Sequence, residues 1–185
     1  MKGPYFSQWR HVSDEEWQPR ACGLACSAMV LCAAGVEATP DELLAEAQAM
    51  TGHLAWTKDG MPHAAICALM RNRGLHSYHE EFRGRRYDPL LAEWRDDLEL
   101  DAAHLEYGMA KVREAVSRGE QVIVSVAPDF RTNKEGHLVV VTGLAEGGFV
   151  INDPDDRSGE GEGVFVAERF LGSYFRRFAV FAARA

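Results

Sequence analysis

The residue pattern of this chain changes period once, and that change limits the folds open to it. Up to Gly119 the apolar residues recur at helical spacing, and beyond it they come in short β-branched and aromatic runs. Cys22 to Ala34 reads as a buried helix closed by Gly35, a residue suited to the left-handed C-terminal position. Thr39-Pro40-Asp41-Glu42 is a helix start, with Thr39 as N-cap, Pro40 first and acids in the first turn. The helix it opens carries Leu43, Leu44, Ala47 and Met50 on one face. Two further helices are predicted, Met61 to Arg73 ending at Gly74 and Tyr107 to Arg118 ending at Gly119. Strands are expected over Gln121 to Val126, Leu138 to Leu144, Phe149 to Asn152, Gly163 to Ala167 and Arg177 to Ala182. Gly147-Gly148 marks a hairpin between two of them. Helices first and antiparallel strands second give an α+β domain. With 185 residues and no linker-like stretch, one domain over residues 1–185 is expected.

Charge narrows the partners. The chain holds 20 Lys plus Arg against 28 Asp plus Glu, a formal net charge of −8, which argues against nucleic acid. Arg83 to Arg86 is the one basic cluster, and a solvated turn accounts for it. Met1 to Arg10 lacks the apolar core of a targeting segment, and Cys22 to Val36 is too short to span a bilayer. Four cysteines, three of them on one helix, do not make a disulfide scaffold at this length. A reducing, cytoplasmic compartment with no membrane partner is the expectation.

Three residues carry chemistry. Cys22 opens the most apolar helix, where unpaired backbone N–H groups and the positive end of the dipole favour a thiolate. Gly23 after it allows another backbone or a substrate to approach closely. Taken alone, Cys22 is more often a small buried hydrophobe. His137 shifts that balance, because it heads the apolar strand Leu138-Val139-Val140-Val141 and so sits at a sheet edge. Asn152-Asp153-Pro154 ends the next strand, and antiparallel pairing would set the end of one strand beside the start of the other. A carboxylate there holds the imidazole in one tautomer and supports its charge.

These residues sit in motifs that resemble a papain-like cysteine peptidase of the bacteriocin-processing, double-glycine leader type, as a stand-alone bacterial relative. The matching pieces are Pro4-Tyr5-Phe6-Ser7-Gln8, the run from Ala21 to Leu31, Gly136 to Gly143, and Val150-Ile151-Asn152-Asp153-Pro154. The resemblance implies a papain-like fold with the helical part packed on the sheet. It implies Cys22 as nucleophile, His137 as base, Asp153 orienting the histidine and Gln8 in the oxyanion hole, with Gln18 as the competing glutamine. A thioester acyl-enzyme formed on a peptide or small amide substrate follows, with no cofactor and no metal. No transmembrane or ATP-binding portion accompanies the motifs, so acyl transfer to form an amide stands beside hydrolysis. A catalytically silent binding module of the same fold is the third reading.

Other signals are weaker. Cys26 is expected to pack inward behind Cys22, and His63 and Cys67 to pack on a core helix. His76 and His79 fall in or near a strand. The acidic loop from Asp153 to Glu162 superficially resembles a calcium loop, but Arg157 occupies a ligand position. Trp9, Trp17, Trp56 and Trp94 are candidates for the core, with Trp9 and Trp56 alternatively walling a cleft. Oligomeric state is not readable.

Overall fold

The computed structural model describes residues 3–57, 60–127 and 136–184. Met1 and Lys2, at the head of the polar opening segment, lie outside the described residues. The fold is α+β. Three helices come first: α1 (Cys22–Ala33), α2 (Pro40–Gln48) and α3 (His63–Asn72). Then follow β1 (Leu75–Glu81), β2 (Arg85–Asp88), β3 (Glu93–Asp96) and α4 (Leu98–Ser117). The chain continues through β4 (Gln121–Val126), β5 (His137–Ala145), β6 (Gly148–Asn152), β7 (Val164–Ala167), α5 (Glu168–Tyr174) and β8 (Phe175–Arg184).

The local signals act as the sequence suggested. Helix α1 is buried from Gly23 to Leu31, because its apolar residues run all the way round. It ends in a Schellman motif, where Gly35 N–H donates to the Cys32 carbonyl and Val36 N–H to that of Leu31, each at 2.9 Å. Gly35 takes a φ of +76°, which a side chain would oppose. Helix α2 opens with a full capping box between Thr39 and Glu42.

Six strands form one antiparallel sheet in the order β1-β8-β4-β5-β6-β7. Alternation along the strands divides the core in two. Ile123, Leu138, Val140 and Val180 face α1, α2 and α3, with Leu24, Met29, Leu43 and Leu69 among their neighbours. Val122, Val124, Val139, Val141, Phe149 and Phe181 face the other way, against Val112 and Val116 of α4 and Leu171 of α5. Both faces are therefore covered, which is why β4 and the start of β5 read as continuous apolar runs. Phe149 is fully buried on the α4 side. Phe149→Ala should cost about 3–5 kcal/mol and lower the melting temperature by about 10 °C. Thermal unfolding followed by circular dichroism measures it, and a shift under 2 °C would contradict this packing.

The structure departs from the sequence reading in several places. Helix α4 starts at Leu98 rather than Tyr107, capped by Asp97, whose carboxylate accepts from Leu100 N–H at 3.1 Å. Arg85 and Arg86 are not in a turn; they open β2, which pairs with β3 in a separate two-stranded ribbon, and they bridge to Asp96 and Asp97. The sheet also takes in β1 from the first half of the chain, and α5 fills the step into β8. Trp94 lies on the ribbon, 66% exposed, so it is not a core residue. Trp17 and Trp56 are half-buried and meet edge to face at 4.7 Å, while half-buried Trp9 donates its indole N–H to Asp155. None of the described helices is long and apolar enough to cross a membrane.

Candidate active site

Cys22 is the first residue of α1, entered through a 3₁₀ turn over Gln18–Arg20 that Pro19 favours. The start of α1 lies against the start of β5, where Cys26 Sγ reaches the Leu138 carbonyl. Gly23 makes room for α3 rather than for a substrate: a Cβ there would lie 3.3 Å from Ile66 Cδ1 and 3.4 Å from Met61 Cβ. The neighbouring helix thus closes against the residue beside the thiol.

His137 begins β5, opposite Val126 at the end of β4. Strand β5 is an inner strand, so the histidine stands at the end of the sheet and not along its edge. It is only 6% exposed. The bulge between Val141 and Gly143 and the tight Glu146-Gly147 turn bring β6 back alongside, and Asp153 follows its last residue. Asp153 Oδ1 lies 2.7 Å from His137 Nε2. Asp153 engages only Nε2, so the other ring nitrogen is left for Cys22, which also acts on the charge of the imidazole. Burial by itself pushes the imidazole pKa down, but the hydrogen bonds to Asp153 and Cys22 and their negative charge outweigh it and raise it to about 10.

Gln8 is 3% exposed, and its backbone N–H donates to the Pro154 carbonyl at 2.9 Å. Its side-chain amide gives one hydrogen to the Gln18 carbonyl at 3.0 Å, in the turn that leads into Cys22. Gln8 Oε1 is buried without a partner among the described residues. Gln18, by contrast, turns its own amide to the Val12 carbonyl at 2.9 Å. Cys26, one turn after Cys22, is fully buried and directs its thiol to the Leu138 carbonyl at 3.4 Å. Burial pushes that thiol well up, and the negative charge of Cys22 and Asp153 adds to the effect. Cys26 therefore packs inward behind Cys22, as the sequence indicated.

The four residues singled out in sequence come together at one end of α1 and β5. The remaining cluster does not join them. His63 stacks on Phe178 at 4.8 Å, and burial with nearby His79 pushes its pKa down to about 4. Cys67 is fully buried, which pushes its thiol up to about 11.

Sequence reasoning missed the groups that hold the Asp153 loop. Asp156 accepts from Ser158 N–H and hydroxyl and from Gly161 N–H, at 2.7–2.9 Å. Desolvation works against its charge, but these hydrogen bonds hold its carboxyl down at about 2. Tyr5 and Ser7 reach the same loop, and the opening motif that contains them was the available signal.

The chain matches the family model described as the Peptidase_C39-like family over residues 2–178. Solved structures with a similar fold include the peptidase domain of Streptococcus ComA, a bifunctional ABC transporter involved in quorum sensing. It is 17% identical with a TM-score of 0.60, over 90% of this chain and 93% of that one. A C39-like peptidase candidate from Bacillus anthracis is 14% identical with a TM-score of 0.65, over 98% and 94% of the two chains. A double-glycine-motif protease from an AMS/PCAT transporter, in complex with leader peptide, is 16% identical with a TM-score of 0.56, over 89% and 84%. A search among curated proteins finds no match.

Proposed function

Because this chain belongs to the Peptidase_C39-like family of cysteine peptidases, we propose that Cys22, His137 and Asp153 form a triad that cleaves a peptide or small amide through a thioester. The observation that carries the reading is the buried His137, whose Nε2 lies 2.7 Å from Asp153 Oδ1 and whose pKa Asp153 and Cys22 together raise to about 10. That environment favours the imidazolium, the proton donor a departing amine requires.

In this reading Cys22 Sγ attacks the carbonyl carbon as a thiolate, forming the S–C bond while the C=O electron pair moves to oxygen. The Cys22 backbone N–H and the Gln8 side-chain amide receive the oxyanion, each donor worth about 3 kcal/mol in comparable sites. Support for Gln8 over Gln18 comes from its place: its backbone N–H donates to the Pro154 carbonyl, next to the Asp153 that partners His137, whereas the Gln18 amide donates to the Val12 carbonyl. Collapse of the intermediate breaks the C–N bond, and His137 gives its proton to the amine. Water then attacks the thioester with His137 as base, which releases the acid and restores the thiol.

Alkylation by iodoacetamide, read by mass spectrometry across pH, tests the dyad. Cys32 is half-buried like Cys22 and serves as the internal reference. At pH 6, where an ordinary thiol of pKa about 8.5 is almost wholly protonated, Cys22 should react at least about tenfold faster than Cys32. Equal rates would sink the reading. The sign of the Asp153 effect is fixed as well. Asp153→Asn removes the charge that favours imidazolium, so His137 should titrate lower and the alkaline limb of the activity profile should move to lower pH. An unmoved limb would remove Asp153 from the triad.

A further inference from the structure

The opening segment is fastened to the Asp153 loop over a long stretch of sequence. Tyr5 Oη donates to the Asp153 carbonyl at 2.6 Å and lies 3.4 Å from Asp156 Oδ2. Ser7 Oγ donates to the Asp156 carbonyl at 2.7 Å, and Gln8 N–H to the Pro154 carbonyl at 2.9 Å. The loop leaves room for this clasp at Gly161, where a Cβ would lie 2.5 Å from Tyr5 Oη and against the Asp153 carbonyl.

We propose that Tyr5 is a positioning residue, whose hydroxyl ties the segment bearing Gln8 to the residue bearing the His137 carboxylate partner. The inference rests on the triad reading above. In that reading Gln8 acts on the carbonyl oxygen and Asp153 through the base. Neither sits in a strand or helix that would hold it rigidly. The Tyr5 bond is made to the backbone of Asp153 itself, so the carboxylate that aligns His137 and the amide awaiting the oxyanion share one anchor. The phenol stays a donor because burial and the Asp156 and Asp153 carboxylates hold it protonated.

Tyr5→Phe keeps the ring and removes only the hydroxyl. In the full chain, Cys22 alkylation by iodoacetamide at pH 6 should slow about tenfold, the scale of one lost hydrogen bond. Affinity for N-acetylglycinal, which adds to Cys22 as a hemithioacetal whose oxygen takes the oxyanion position, should fall by a similar factor of about ten. The His137 imidazole resonance should also shift in its NMR spectrum. Gly161→Ala, which forces the same contact apart, should reproduce all three effects with Tyr5 intact. A Tyr5→Phe chain that melts lower yet keeps the wild-type alkylation rate, aldehyde affinity and His137 resonance would overturn the proposal, because its hydroxyl would then serve stability only. If wild-type Cys22 reacts no faster than Cys32, the triad reading and the clasp fall together. An activated wild type with an unaffected Tyr5→Phe chain removes the clasp alone.

Discussion

Cys22→Ala should lose turnover by a factor on the order of 10⁴ or more while unfolding at the wild-type temperature, within about 2 °C. The size of the loss follows from chemistry, since without sulfur no thioester forms and only binding and the oxyanion donors remain. The intact fold follows from position. Cys22 is the first residue of α1 and half-buried, and alanine is the best helix former, so neither packing nor backbone opposes the change. Peptide hydrolysis followed by mass spectrometry, beside a thermal melt, reads both quantities. Retained turnover would remove Cys22 as nucleophile. Loss of turnover and fold together would mean that the thiol is structural.

His137→Gln should cost on the order of 10³-fold in turnover and bring Cys22 alkylation at pH 6 down to the Cys32 rate. Glutamine is the useful replacement because its amide offers the half-buried Asp153 carboxylate a side-chain donor in place of the imidazole, which alanine would not. It cannot carry a proton between sulfur and amine. A variant that keeps fast alkylation at pH 6 would show that the helix terminus alone activates the thiol. Turnover would then need another base.

Each of the three triad candidates carried a local signal: Cys22 a helix start, His137 the head of an apolar strand, Asp153 an Asp-Pro turn at a strand end. Gln8 carried none and was reached through the motif around it. Its surroundings depend on the Pro154 and Gln18 carbonyls, contacts that no local pattern encodes. Tyr5 escaped for the same reason, because its bonds cross most of the chain, whereas Asp156 bonds within its own loop, to Ser158 and Gly161. The first half of α4 was hidden by Leu98-Glu99-Leu100-Asp101, which alternates with the period of a strand although Asp97 is a good cap. The β2–β3 ribbon was hidden because it has no fully buried residue, so hydrophobic patterning had nothing to mark. Leu90, at its turn, is 92% exposed.

The place of β8 in the sheet was beyond any local reading. It lies between β1 and β4, and it is the only sheet partner of β1 among the described residues. That order has a consequence for how the protein is made. A ribosome delivers residues 1–174 before the strand that joins the two sides of the sheet, so β1 and the α3 packed on it cannot lock onto β4 until residues 175–184 have emerged. Translation thus leaves β1 without its sheet partner until the strand over residues 175–184 has emerged.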